Sequence, residues 1–212
     1  MHFEFLVEDI SGKLALKTLV PKILGPTHTY RIHAYKGIGH IPKNLKSAKD
    51  PAKRILLDRL PAVLQGYGQT FPPGTATVVV VCDLDDKHHE TFLGELKAVL
   101  DRCQPRPDAR FCLAIEEGEA WLLGDLAAVK AAYPNAKDEV LRIYKNDSIC
   151  GTWQVLADAV YAGGSAALQK LGYPVVGEQK SRWAREITPH MDVRANRSPS
   201  FRGFRDELRS AS

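Results

Sequence analysis

Apolar, strand-forming segments alternate with amphipathic helical segments along the first two thirds of this chain. Four apolar runs predict β-strands, at residues 3–7, 29–35, 76–82 and 110–115. Between and after them, apolar residues recur at helical spacing, at residues 13–24, 50–65, 90–102 and 120–132. The run at 76–82 is apolar at nearly every position, as expected for a central strand that is covered on both faces.

This order of elements, joined by short links, predicts an α/β fold. We expect a Rossmann-like, mainly parallel sheet with helices on both faces. Beyond residue 134 the pattern becomes helical and irregular. The sequence therefore predicts an α/β domain over residues 1–134 and a helical C-terminal extension over residues 135–212 that packs on the same domain. In such folds ligands bind at the carboxyl ends of the strands.

Composition narrows the class of protein. The chain has 212 residues, of which 44% are apolar and 25% charged, enough for one sizeable domain and too apolar for disorder. No apolar run approaches the roughly 18 residues of a membrane-spanning helix. The N-terminus lacks the basic start and apolar core of a secretory signal, so we expect a cytoplasmic protein. The four cysteines have no zinc-knuckle spacing.

Charge is unevenly distributed along the chain. Residues 30–59 hold eight Lys and Arg against two Asp, and residues 180–212 hold eight against four Asp and Glu. Basic segments therefore flank an acidic centre, an arrangement that suits a site for both a divalent cation and a polyanion. Solvated helix faces would give similar counts.

Carboxylates follow three of the predicted strands. Glu8 follows the first, Asp83 and Asp85 follow the central one, and Glu116 and Glu119 follow the next. Strand alternation would put the side chains of Asp83 and Asp85 on one side, and parallel neighbours would bring all these acids to one edge of the sheet. Oxygen-only ligands favour Mg²⁺ or Mn²⁺. Helix capping could explain each acid singly, but needs a separate coincidence at each strand end.

The segments around these acids resemble a known family. They read Phe-Leu-Val-Glu-Asp-Ile-Ser-Gly, then Val-Val-Val-Val-Cys-Asp-Leu-Asp-Asp, then Ala-Ile-Glu-Glu-Gly-Glu-Ala-Trp-Leu-Leu. The chain is similar to the DUF4276 group of TOPRIM-like proteins, whose fold has a glutamate after the first strand and an Asp-x-Asp after a later one. Glu8, Asp83 and Asp85 match those positions. Asp9 follows the glutamate here, where many TOPRIM proteins have Gly.

The resemblance implies a function and roles for the acids. The TOPRIM domains of overcoming-lysogenization-defect nucleases imply a Mg²⁺- or Mn²⁺-dependent nuclease that cleaves nucleic-acid phosphodiesters, with a partner ATPase in phage defence. Asp83 and Asp85 would hold one or two ions, and Glu119 or Glu116 would complete the shell. Glu8 would either share a second metal or accept a proton from the attacking water.

Substrate phosphates would need cationic partners. The candidates are Lys36, Lys43 and Lys46 around a glycine-containing loop, and Arg197, Arg202 and Arg205 near the C-terminus. Phe201 and Phe204 could form an arm on which bases stack. Their three-residue spacing favours the alternative, in which they anchor a terminal helix to the core.

Two other classes of protein stay open. One is a non-catalytic TOPRIM-like binding or adaptor subunit, whose acids are structural remnants. The other is an enzyme of phosphotransfer or glycosyl transfer, because Asp-x-Asp at a strand end also serves those reactions. Its phosphatase form would need Thr or Val where Lys87 stands, and its sugar-transfer form does not explain Glu8.

Overall fold

The computed structural model describes residues 1–42, 54–115, 117–148 and 151–211. The strands are β1 (His2–Val7), β2 (Thr29–Ala34), β3 (Ala76–Asp83) and β4 (Ala109–Ala114). The helices of the first half are α1 (Ile10–Leu24), α2 (Leu56–Thr70), α3 (His89–Asp101), α4 (Glu119–Leu123) and α5 (Leu126–Ala132). Those of the second half are α6 (Asp138–Ile143), α7 (Thr152–Val160), α8 (Gly164–Lys170), α9 (Tyr173–Ile187), a 3₁₀ turn (Thr188–His190) and α10 (Pro199–Ser210).

The four strands form one open sheet in the order β2-β1-β3-β4, and every pairing is parallel. Val7 pairs in register with both Ala34 and Val81, and Asp83 pairs with Ala114. The carboxyl ends of all four strands therefore reach the same edge. This confirms the predicted α/β fold with a helical C-terminal extension.

The sheet separates two apolar cores, and strand alternation assigns each residue to one of them. Phe5 of β1 lies in the first core, with side chains of α1, α4, α5, α7, α9 and α10. Leu6 and Val80 lie in the second core, which is built with α2 and α3. Because the first core combines residues from both halves of the chain, the C-terminal helices are packed directly over the sheet and its edge.

The C-terminal helix α10 is anchored in the first core by aromatic residues. Phe204 stacks on Trp121 with ring centroids 4.8 Å apart, and Phe201 meets the same ring edge-on at 5.6 Å. Ser198 caps the helix by accepting a hydrogen bond from the N–H of Phe201 at 3.2 Å. Both phenylalanines are fully buried, as the anchor interpretation predicts.

Among the described residues, every helix is too short or too polar to cross a lipid bilayer.

Candidate functional site

Glu8 and Asp83 meet where β1 and β3 end. The Oε2 atom of Glu8 accepts a hydrogen bond from the backbone N–H of Asp83, at 3.3 Å. Burial raises the pKa of Glu8 to about 7, and repulsion from the carboxylates of Asp85 and Asp9 adds to the shift. Glu8 therefore changes its charge near neutral pH.

Asp83 is the last residue of β3, and its carboxyl group lies at the centre of the acids. Burial raises the pKa of Asp83 well above its ordinary value, and the neighbouring Glu8 and Glu119 raise it further. The positive charge of Lys180 acts in the opposite direction. Asp83 and Glu8 are thus two acids that cannot both be ionised at low energetic cost unless a cation or a proton neutralises them.

Asp85 reaches the site from a turn and not from the strand. The strand alternation that was expected to align it with Asp83 ends at Asp83, and Asp85 adopts a positive φ of 50°. Its side chain is about half exposed and forms an ion pair with Lys87 at 3.1 Å. The carboxylate still lies near enough to Glu8 to raise the pKa of that residue.

A lysine that the sequence did not single out lies among these acids. Lys180 of α9 is only 16% exposed, and its Nζ lies 2.9 Å from Oε2 of Glu119 and 3.5 Å from Oε1 of Glu117. Although burial alone would lower the pKa of Lys180, attraction to Glu119, Glu117 and Asp83 outweighs it and raises that pKa. Lys180 is therefore a permanent cation of the site.

The acids that follow β4 are held by the C-terminal helices. Glu119 is 3% exposed, and burial raises its pKa while Lys180 opposes the rise. Glu117 accepts hydrogen bonds from the hydroxyl of Thr152 at 3.0 Å and the N–H of Trp153 at 3.1 Å, at the start of α7. These contacts tie both glutamates into the fold. The other candidate of this segment, Glu116, lies outside the described residues.

A small cavity of about 50 Å³ opens between these groups. Glu8, Asp83, Glu119 and Lys180 supply its polar wall, and apolar side chains such as that of Trp121 supply the rest. A space of this size is large enough for a water molecule or a bare metal ion. The cavity therefore accepts a small cation or the oxygen of a larger ligand.

The donors of this site suit a hard divalent cation. Glu8, Asp83 and Asp85 offer only carboxylate oxygens, which Mg²⁺ and Mn²⁺ prefer, and Mg²⁺ usually keeps several waters beside one or two carboxylates. Across the described ranges no three His, Cys, Asp or Glu side chains already stand at ligand spacing. The residue types fit such an ion. For all three carboxylates to bind it, their side chains would have to move closer together.

The described members of the predicted phosphate-binding set lie away from the acid cavity. Lys36 is exposed on a wide groove beside the acids, whereas Lys43 and Lys46 lie outside the described residues. Arg197 and Arg202 are exposed, and Arg205 is held by its donated bonds to the carbonyl of Val193 at 3.1 Å and to Asp206. None of these three arginines lines the acid cavity.

The fold and this cluster define an α/β protein with an acidic site at the carboxyl edge of a parallel sheet. The DUF4276 family, described as a domain of unknown function, matches residues 7–209. The chain belongs to that family, which confirms the resemblance at family level. No protein of curated function and no solved structure matches the chain.

Proposed function

We propose that this protein is a Mg²⁺- or Mn²⁺-dependent nuclease of TOPRIM-like type that hydrolyses nucleic-acid phosphodiesters. The observation that carries the proposal is the contact between Glu8 and Asp83, which joins the glutamate after the first strand to the Asp-x-Asp after a later one. Two adjacent acids with raised pKa values form a site that a divalent cation would stabilise.

Asp83 and Asp85 are the residues that would hold the ion. When bound, the ion would stabilise negative charge that develops on the scissile phosphate. Asp83 is fixed by the end of β3, whereas Asp85 lies on a turn and is half exposed. The site thus combines one rigid ligand with one that can move toward an ion or a substrate.

Glu8 is the proposed general base. Without a bound ion its pKa is about 7, which suits proton transfer at neutral pH because the group is then partly ionised and still basic. A bound cation would lower this pKa. Its Oε2 faces the end of β3, beside the proposed ligands. Glu8 would accept the proton of an attacking water held in the cavity.

Lys180 is proposed to hold Glu119 and to balance the charge of the acids. Its ammonium group faces the cavity that Glu8 and Asp83 also line. This placement lets it offset the negative charge of a phosphate that approaches the acids. Glu119 then serves as the partner of Lys180, at 2.9 Å, and not as a direct ligand of the ion.

The proposed cellular setting draws on the resemblance and on the cysteines. We place the protein in the cytoplasm, where the buried, unpaired thiols of Cys82, Cys103 and Cys112 stay reduced. A partner ATPase in phage defence is part of the proposal, through the similarity to overcoming-lysogenization-defect nucleases. The chain should therefore be assayed with and without an ATPase encoded beside it.

One observation favours a second candidate, the non-catalytic adaptor. Lys180 already places one positive charge among Glu117, Glu119 and Asp83. A site balanced by its own lysine could persist without any metal.

A cleavage assay separates the two candidates. The purified chain is incubated with labelled single- and double-stranded DNA and RNA in Mg²⁺, Mn²⁺ or EDTA. The nuclease proposal expects metal-dependent cleavage that Asp83→Asn abolishes and that Asp86→Asn, a change of the exposed acid in the same turn, leaves intact. Cleavage that survives Asp83→Asn rejects the assignment. Absence of cleavage with every metal and partner favours the adaptor.

A further inference from the structure

A second and wider space lies beside the acid cavity. It is a groove of about 800 Å³ between the first turn of α1, the loop after β2 and helix α9. Asp9 and Ser11 line both the groove and the acid cavity, so the two spaces share a wall. A ligand that lies along the groove would reach the edge of the acid site.

Exposed cations line this groove from two different elements. Lys36 comes from the loop after β2, and Arg182 and Arg185 come from successive turns of α9. Arg182 forms an ion pair with Glu186 of the same helix at 2.8 Å. Lys36 and Arg185 have no carboxylate within ion-pair distance in the part of the chain that the structure describes. Their charges are therefore available to a ligand.

Two acids, Asp9 and Glu178, also line the groove. Asp9 caps α1, and its two oxygens accept bonds from the N–H of Gly12 and the hydroxyl of Ser11, both at 2.7 Å. Glu178 is exposed at the groove wall. Tyr35 adds a half-buried aromatic ring beside Lys36. The groove thus combines exposed cations with an aromatic surface, the combination by which proteins hold single-stranded nucleic acids.

We propose that this groove binds a single strand of nucleic acid, with its phosphates on Lys36 and Arg185, and directs it toward the acid cavity. Spaces of about 300–1,000 Å³ accept ligands of drug size, so a groove of 800 Å³ accommodates a few nucleotides. The ring of Tyr35 beside the cations favours a single strand, whose unpaired bases can stack on it, over a duplex, whose bases are already stacked on one another. The inference rests on the proposed function for its substrate class and deepens it by selecting the single strand.

Helix α9 links the two spaces. Lys180 faces the acid cavity, while Arg182 and Arg185 face the groove on the other side of the shared wall. Because all three are on one helix, the cations of the groove hold a fixed position relative to the acids. A strand bound along α9 would thus present a phosphate to the cavity with Lys180 beside it.

The test measures binding without cleavage. A fluorescein-labelled oligothymidylate is titrated with the full chain in EDTA, and anisotropy is followed at several salt concentrations. The test variant combines Lys36→Glu with Arg185→Glu. The matched control combines Lys97→Glu with Arg102→Glu, at exposed positions in and directly after α3. Both variants change the net charge by the same amount. Thermal melting checks that both variants are folded.

The proposal expects the groove variant to bind about tenfold more weakly or worse. It also expects the slope of log affinity against log salt to fall by about 1.4, because two phosphate contacts with a single strand are lost. The control variant should bind like the wild type. A duplex of the same length should bind more weakly than the single strand. Equal weakening by both variants, tighter binding of the duplex, or no binding by the wild type would overturn the proposal.

Failure of this inference is distinguishable from failure of the nuclease assignment. If the groove binds the strand but no metal supports cleavage, the groove stands and the nuclease proposal falls. If the protein cleaves single strands and the groove variant retains the wild-type KM, the nuclease proposal stands and the groove inference falls.

Discussion

The carboxylate of Glu8 lies against the main chain of Asp83, with its Oε2 atom 3.3 Å from the backbone nitrogen. Glu8 directly follows β1 and Asp83 is the last residue of β3, so the two residues are far apart in the sequence. Because β1 and β3 are parallel neighbours, Val7 and Val81 pair in register and their following segments leave the sheet side by side. The contact between the acids is therefore a direct consequence of the sheet topology.

The first prediction concerns the charge of Glu8 in the absence of divalent ions. Its pKa rises from 4.5 to about 7 on folding, so folding favours its protonated form. Stability from this residue is complete below pH 4.5 and is lost as the pH rises through 7. Glu8→Gln should remove this loss and stabilise the protein at pH 8 by about 2 kcal/mol, after allowance for solvent screening at this half-buried group.

Urea denaturation in EDTA at pH 5 and pH 8 measures this effect. Glu95→Gln, at an exposed position of α3, is the matched control and should change stability little at either pH. Equal stability of wild type and Glu8→Gln at pH 8 would show that burial and repulsion do not destabilise the ionised form of Glu8.

The second prediction concerns the ion pair between Lys180 and Glu119. Both side chains are largely buried, at 16% and 4% exposure, so removal of one partner leaves an unpaired charge inside the protein. Lys180→Met should lower the free energy of unfolding at pH 7 by about 3 kcal/mol. The double variant Lys180→Met with Glu119→Gln should recover part of that loss, because no isolated charge is left at position 119.

Chemical denaturation of the two single variants and the double variant forms the thermodynamic cycle. Lys97→Met on the exposed face of α3 controls for the loss of a lysine. Additive effects of the two changes would contradict a direct coupling of Lys180 to Glu119.

Features of the structure that depend on residues close together in the sequence were predicted better than features that depend on tertiary packing. Strands at 3–7 and 76–82 were predicted within one residue of β1 and β3, since alternation and apolar runs are local properties. The neighbouring positions of Glu8 and Asp83 also followed, because parallel strands bring their carboxyl ends together. The family was predicted from the same motifs.

The position of Lys180 could not be predicted in this way. In the sequence it is one of many cations in a basic C-terminal segment, and its periodicity does not say whether it faces solvent or the acids. Only the packing of α9 against α1 over the sheet edge places it beside Glu119. Arg205 is the converse case, because a residue expected to contact phosphate is held by Asp206 and the carbonyl of Val193.

The third prediction concerns the contact between the C-terminal segment and Gly124. A Cβ atom at this position would lie 2.2 Å from Oδ1 of Asn196 and 2.9 Å from Cβ of Ser198. Asn196 cannot easily move, since its Nδ2 donates to the carbonyl of Trp121 at 2.8 Å. Gly124→Ala should therefore destabilise the protein by about 1–3 kcal/mol.

A second glycine provides the control for this change. A Cβ atom at Gly203 of α10 meets nothing within 4 Å, so Gly203→Ala should be neutral or stabilising by up to about 1 kcal/mol. Thermal melts of the two variants make the comparison. Equal melting temperatures would mean that the segment around Asn196 can shift to make room for the new Cβ atom without a loss of stability.

The fourth prediction concerns Glu4, a buried residue whose carboxylate is hydrogen-bonded to two histidines. Burial acts to raise the pKa of Glu4, but hydrogen bonds from His2 at 3.0 Å and His33 at 2.6 Å outweigh it and hold that pKa below 4.5. Stability from this carboxylate is present above pH 4.5 and is lost as the pH falls through the lowered value. Glu4→Gln should destabilise the protein by about 1–3 kcal/mol near neutral pH and by much less in acid.

Denaturation of wild type and Glu4→Gln from pH 7 down to acid pH tests this dependence. A difference in stability that stays constant over the whole range would show that the charge of Glu4 has no part in the network. The same experiment on Glu95→Gln gives the baseline for an exposed glutamate.

The most direct test of the proposed site is the binding of Mn²⁺, followed by the loss of the free-ion signal in electron paramagnetic resonance. Asp83→Asn keeps the shape of the side chain and removes its charge, and Asp86→Asn makes the same change at an exposed acid three residues later. We predict that the wild type and Asp86→Asn bind Mn²⁺ alike and that Asp83→Asn weakens binding by about tenfold or more. Equal binding by Asp83→Asn, or no binding by the wild type at millimolar Mn²⁺, would contradict the account.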